Sequence, residues 1–356
     1  MAMTSFGLND ALAVKLWSKT LDVEALKYTD IAPLIGDDAN SIIQRKTETS
    51  KGAGDKVTYG LRMQLSGDGF TENETAEGNG ESLTIYSDAV VINELGHVVG
   101  VKSQHTIDAQ RVPFDLRAEA RDGLADWYAK RMSVAFFNQV CGYTAEARSK
   151  YTGLQATVPP SSGRVIRQGS RTADENLTSS DTFNINLIDK AKELAETATP
   201  KIRPIRIGSQ EKYVIYLHPF QVTDLRTTTQ TGQWLDIQKA AMTGGEITKN
   251  PIYTGSLGEY NNVVIRQAFD VTPGVNSTTG VSIPTVRRAV FLGAQSCMMA
   301  FGQKNSASKY RWNEELFDHK RRLEVSAWSI WGMKKAQFNG ADFATVVVGT
   351  YAAAHT

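Results

Sequence analysis

Five histidines, two cysteines and a run of loop carboxylates are the residues of this chain best suited to chemistry. The histidines His97, His105, His218, His319 and His355 could hold a metal or move protons. No two of them lie four apart on a helix, and none has a cysteine at a zinc-binding spacing. His97 and His105 stand eight residues apart in strand or loop, a metal pair that nothing else in the chain supports. His218, directly before Pro219, reads as a structural residue rather than a base. Cys141 and Cys297 are far apart among apolar neighbours, the setting of two buried thiols in a reducing compartment. Asp68, Glu72, Glu74 and Glu77 do not follow the spacing of a calcium loop, so they read as a solvated loop. Glu119, Asp122 and Asp126 lie among Arg117, Arg121 and Lys130, the pattern of a salt-laced helix face. The chain has no nucleophile elbow and no phosphate-binding loop, and Gly52-Ala-Gly54 lacks a third glycine. No catalytic, cofactor-binding or metal-binding residue is assigned, and the chain reads as a non-enzyme.

Bulk composition narrows the classes further. The 356 residues are 41% hydrophobic and 22% charged, enough for a substantial core in more than one lobe and unlike a disordered or fibrous chain. Formal net charge is +1 from 39 basic and 38 acidic residues. A protein that coats nucleic acid carries a clear basic excess, because counterion release drives that binding. The basic run Lys320, Arg321, Arg322 with Trp328 and Trp331 could contact nucleic acid. A strand with a charged start and packed tryptophans explains it as well. No apolar run reaches the roughly 18 residues of a membrane span, and no secretory leader opens the sequence, so folding in cytoplasm is expected. The sequons at Asn73, Asn176 and Asn276 then carry no meaning.

The elements that would position these residues point away from catalysis. Lys56–Leu65 and Leu83–Asn93 have the β-branched and aromatic content of strands, and the polar stretch GDGFTENETAEGNGES joins them. Such a hairpin has no core of its own, and its tip must find a surface elsewhere. Pro113 then opens a helix to Val140, about 42 Å long, with Leu116, Leu124, Trp127, Tyr128 and Phe136 on one apolar face and Gly142 as its stop. Residues 1–40 read as an arm with a short helix, Ala11–Lys19. Ser41–Thr47 reads as a strand, Gln104–Gln110 as extended chain, and 143–182 as a long excursion. Phe183–Ala198, His218–Leu225 and Gln233–Met242 are helical. Tyr213–Leu217, Asn262–Gln267, Arg287–Leu292, Arg322–Trp331 and Phe343–Thr350 are strands, and Val271–Pro284 is a flexible connection. Helices and strands alternate without βαβ regularity, so the class is α+β.

In the second half, YVIYLHPFQVTDLRT, NPIYTGSLGEYNNVVI, RRAVFLGAQSCMMAFG and SIWGMKKAQFNGADFATVVVGTYA follow one another in order. With Glu77–Asn79 and Ile92–Val99 in the first half, they resemble the major capsid proteins of N4-like tailed bacteriophages, from about residue 10 to residue 353. That family is similar in architecture to the HK97-type capsid fold. The resemblance implies an N-terminal arm and lead-in strand at 1–49 and an E-loop hairpin at 50–95. It further implies a P-domain at 96–202 with its spine helix at 113–140, an A-domain at 203–300, and C-terminal strands, 301–356, returning to the P-domain. It implies a shell subunit of the virion that associates with itself in hexamers and pentamers around double-stranded DNA. The E-loop residues Asp68, Phe70, Glu72, Glu74 and Glu77 would then lie between subunits.

Further partners follow from the same resemblance: a separate scaffolding protein, since no scaffolding-like domain precedes the arm, a portal, and a cement protein. The near-neutral balance leaves only weak DNA contact on the inner surface, with Lys15 and Lys19 as candidates, and no membrane. An encapsulin-like compartment shell is the alternative within the same architecture. A hydrolase or sugar-binding protein using the Gly/Asn-rich loops is the alternative outside it.

Overall fold

The computed structural model describes residues 31–47, 54–62, 65, 67–78, 80–83, 85–102, 106–111, 115–208, 210–227, 258–302 and 309–355. The expected helices Ala11–Lys19 and Gln233–Met242, most of the arm, His105 and Pro113 lie outside them. In chain order the main elements are β1 (Ile43–Lys46), β2 (Lys56–Arg62), β3 (Ile85–Val91), β4 (Asn93–Lys102), α1 (Ile107–Arg111) and α2 (Leu116–Val140). There follow β5 (Val165–Arg167), α3 (Ile185–Thr197), β6 (Gln210–Leu217), α4 (Pro219–Thr227), β7 (Val263–Gln267) and β8 (Ser282–Leu292). The series ends with β9 (Cys297–Phe301), β10 (Tyr310–Phe317), β11 (Arg322–Lys335) and β12 (Thr345–Tyr351).

Two mixed sheets organise these strands. The first is built on β11, which pairs antiparallel with β4 from Arg322↔Lys102 to Trp331↔Asn93 and with β10 along its other edge. The last five residues of β11 pair with β9, and β9 takes β1 as a parallel neighbour. The second sheet runs β5–β12–β8–β6–β7, parallel at β5–β12 and at β6–β7 and antiparallel between. A separate two-stranded ribbon, β2–β3, stands apart from both.

Period-two alternation places consecutive residues of the apolar strands in different cores. In β6, Val214 and Tyr216 face one apolar cluster while Tyr213, Ile215 and Leu217 face the other. In β9, Cys297, Met299 and Phe301 share the first cluster while Met298 and Ala300 share the second. Strands buried on both faces read as continuous apolar runs, which explains YVIYL and CMMAF. Helix α2 covers the first cluster and α3 the second, through Leu187, Ile188, Ala191 and Ala195.

Asp115 caps α2, its Oδ1 accepting from Arg117 N at 3.0 Å. The helix therefore starts at Leu116, three residues beyond the expected Pro113, because the capping carboxylate sits there. Gly142, at φ +62°, ends it in the left-handed conformation that glycine adopts without steric penalty. The final turn is buried all round, Phe136 to Val140, because it passes from the first sheet to the second, where Phe137 meets the ring of Tyr216 at 5.4 Å.

Other boundaries shift for identifiable reasons. Residues 107–111 form α1, where extended chain was expected. The connection 271–284 is a tight hairpin, Pro273–Val275 against the start of β8, anchored by buried Val271 and Val275. Its Gly/Ser/Thr content marks only the turn, where Asn276 Oδ1 accepts from Thr278 N and Thr279 N at 2.9 and 2.8 Å. Arg117 does not lie on a solvent face. It reaches Glu314, almost wholly buried, at 2.7 Å, and Trp312 Nε1 donates to the same carboxylate at 2.7 Å.

Candidate assembly surface

The ribbon β2–β3 pairs from Lys56↔Val91 to Arg62↔Ile85. Its base is amphipathic: Val57, Tyr59 and Leu61 are buried with Val90 and Ile92, while Lys56, Thr58 and Gly60 face water. Asp88 is the hub that fixes this base to the body. Tyr59 Oη donates to Asp88 Oδ2 at 2.9 Å, Lys334 of β11 pairs with Oδ1, and Gln337 N donates to Oδ2 at 3.4 Å. Burial, with Asp88 alongside, pushes the Tyr59 phenol well above its ordinary range, so it stays a donor. Gly332 lets the ribbon lie close to β11: a methyl group there would stand 2.1 Å from Val91 O.

Beyond this anchor the ribbon leaves the body. Every described residue from Gly67 to Ser82 is exposed, Asp68, Phe70, Glu72, Glu74 and Glu77 among them. Local bonds shape the tip, among them Gly67 N to Glu81 Oε2 and Thr71 N to Glu74 Oε2, both 2.8 Å, and Glu74 N to Thr71 O at 3.0 Å. Leu65 and Ile85 are each 57% exposed, Phe70 50% and Leu83 48%. Exposed apolar side chains thus stand along an otherwise polar and acidic ribbon end.

On α2, Leu124, Tyr128 and Phe136 are fully buried, whereas Leu116 and Trp127 are only partly so. Tyr128 Oη shares its proton between Leu95 O and Ala327 O at 2.8 and 2.9 Å, tying the helix to β4 and β11. Trp127 sits at the edge of that face, stacked on His97 at 4.6 Å with the Arg131 guanidinium 4.9 Å from its ring centroid. Trp331 is buried, while Trp328 is 37% exposed and lies flat over Gly96.

The titratable groups of the interior serve structure. Burial raises the thiols of Cys141 and Cys297, so neither is a thiolate nucleophile. Burial, then the charge of Arg287, pushes His218 down to about 4, and its Nδ1 accepts from Phe220 N at 3.2 Å. Burial alone would raise the Asp174 carboxyl, but Arg288 and Arg167, each at 2.7 Å, outweigh it and hold it below the ordinary range. Lys335 and Asp342, 1% and 0% exposed, pair at 2.8 Å. Among the described residues no three His, Cys, Asp or Glu side chains group as metal ligands. No described helix is long and apolar enough to cross a membrane.

Sequence reasoning singled out the tip residues and did not single out the anchor. Gly332 and Lys334 lie 244 and 246 residues beyond Asp88, and no local pattern joins them to it. One signal was available in the charges: from Met63 to Val101 there are seven carboxylates and no lysine or arginine.

Comparison with known proteins places this architecture. The family model described as phage capsid protein matches residues 5–354. The major capsid protein of Pseudomonas phage KPP25 is 26% identical over 374 residues, spanning 95% of this chain and 94% of that protein. The capsid of Ralstonia phage GP4 is 28% identical and superimposes with a TM-score of 0.77 over the whole of both chains. The cyanophage Pam1 capsid shares the fold at 22% identity and a TM-score of 0.70, over 99% of this chain and 100% of that one. These matches identify a phage capsid protein without singling out the N4-like group that the motifs resemble.

Proposed function

This chain belongs to the phage capsid protein family, and from that premise we propose how its parts build a shell. It is a major capsid protein, the structural subunit of a phage head, and it acts by associating with itself. We assign 1–49 to the arm and lead-in strand, 50–95 to the E-loop, 96–202 to the P-domain, 203–300 to the A-domain, and 301–356 to strands returning to the P-domain. In this assignment β2–β3 with its tip is the E-loop and α2 the spine helix.

The observation that carries the reading is the ribbon, pinned at its base by Asp88 and bare at its end. The chain between Arg62 and Ile85, doubled back on itself, can reach about 40 Å at most, enough to cross onto a neighbour. Many such contacts, each modest, add up in a closed shell because every subunit is held at several places at once. Hexamers and pentamers of this one chain form the shell, and a separate scaffolding protein directs closure in the host cytoplasm. A portal occupies one vertex, and a cement protein decorates the outside. The packaged double-stranded DNA is contacted weakly, in keeping with a net charge of +1.

Electron microscopy of the purified chain, alone and co-expressed with its neighbouring phage genes, tests the proposal. Closed icosahedral shells filled or fillable with DNA are expected. Small shells enclosing an enzyme would instead favour the compartment reading, and a monodisperse small oligomer under all conditions would refute assembly.

A further inference from the structure

The charge of this chain is divided between its parts. Seven carboxylates and no lysine or arginine lie between Arg62 and Lys102, so a chain of net +1 carries +8 everywhere else. Asp88 is neutralised by Lys334, but Asp68, Glu72, Glu74, Glu77 and Glu81 cluster at or beside the exposed tip with no cation in that segment. An exposed, like-charged, partly apolar loop gains most from a concave cationic surface, where its own repulsion is relieved.

One such surface is present. A cleft of about 550 Å³ is lined by Ala39, Asn40, Lys201, Arg203, Pro204, Arg206, Glu211 and Ala294. Its walls are fixed by the backbone. Asn40 Nδ2 donates to Arg206 O at 2.7 Å, Arg206 N donates to Asn40 Oδ1 at 2.8 Å, and Ala294 N donates to Arg203 O at 2.8 Å. Arg206 shares Glu211 at 3.0 Å, with both side chains largely in water. Lys201 and Arg203 have no carboxylate partner among the described residues, and Arg203 only donates to the Gln295 side-chain oxygen. The cleft thus presents net positive charge on a rigid frame. A second basic exposed feature, the turn at Lys320 and Arg321, carries Asp318 beside it, and the arginine that follows it pairs with Glu324 at 2.6 Å.

We propose that the cleft formed by Lys201, Arg203 and Arg206 receives the acidic hairpin tip, residues 67–82, of a second copy of this chain. The partner is a second copy because in the single chain the tip is exposed and this same segment supplies the complementary charge. The proposal rests on the shell reading above for its place in assembly, and the decisive test does not. A synthetic peptide of residues 67–82, fluorescently labelled, is titrated onto the full-length chain and onto K201E/R203E, with a K201Q/R203Q chain as the milder variant. Circular dichroism melts check that each variant folds. Binding weakened about tenfold or more by K201E/R203E, less by K201Q/R203Q, and lost between 50 and 500 mM salt, is expected. Equal affinity for wild type and variant overturns the proposal, as does absence of peptide binding to any chain. Duplex DNA bound in the cleft with no peptide binding overturns it too. In shells, a chain carrying both E72K/E74K/E77K and K201E/R203E should regain the assembly that either set alone loses. If the wild-type chain forms no shells, the proposed function fails while the peptide titration still decides this interface.

Discussion

Replacing Asp88 by alanine separates the stability of the ribbon's seat from that of the body. The substitution removes the acceptor of Tyr59 Oη and the counter-charge of Lys334, whose side chain is only 21% exposed, as is 15% of Asp88 itself. Breaking a buried ion pair costs roughly 3–5 kcal/mol and an exposed one under about 1. At this intermediate burial, about 2–3 kcal/mol is expected for Asp88→Ala, and roughly 1–2 for Asp88→Asn, which keeps an acceptor for the phenol. The loss is local, because Val57, Tyr59, Val90 and Ile92 pack on one edge of the second core while the sheets hold themselves. Amide hydrogen exchange is the assay. Protection at Val57, Tyr59 and Val90 should fall by roughly 30-fold, the equivalent of about 2 kcal/mol. Protection in β8 and β12 should change little. A double-mutant cycle with Lys334→Met should give a coupling of about 1–2 kcal/mol. Ribbon protection within twofold of wild type in Asp88→Ala would refute the anchoring role.

Phe136→Ala should cost about 3–5 kcal/mol in urea denaturation, whereas Trp127→Ala, at the edge of the same face, should cost roughly 1–2; equal losses would place Trp127 in the core. Deleting Asp68–Gly80 should leave a folded subunit with an unchanged melting temperature that forms no shells on electron microscopy grids, and normal shell yield would contradict the E-loop assignment. His218 is held neutral down to about 4, so the unfolded chain takes up its proton first. Stability should therefore fall as pH drops from about 6.5 to 4 by up to roughly 3 kcal/mol, and His218→Gln should flatten that slope in denaturation measured across the range.

The fold was legible where a strand is buried on both faces or where a helix repeats one apolar face. YVIYL and the run ending at Leu292 were readable because strands buried on both faces are apolar throughout, and α2 because its spacing repeats every three to four residues. The strands β4 and β10 escaped notice because their outer faces meet water and their sequences mix Gly, His, Glu and Asn with only a few apolar residues. The tip's carboxylates stood out from composition. Their anchor did not, since Asp88 meets Lys334 and Gln337 only after the chain has built almost the whole first sheet. Arg117 was misplaced for the same reason: its partner Glu314 arrives 197 residues later.

The two-stranded ribbon has a liability that its composition resolves. Among the described residues each of β2 and β3 has one ladder partner, which leaves the outer rim of each strand as a possible edge for another chain. Subunits at high concentration could pair rim to rim, zipping into open fibres in place of a closed container. Two such hairpins brought side by side would oppose five tip carboxylates with five more and no intervening cation, a mutual repulsion that forbids this pairing while leaving oppositely charged seats attractive. The acidic segment therefore works as a filter on collisions, and a chain with neutralised tips should precipitate as β-rich aggregate as its concentration rises.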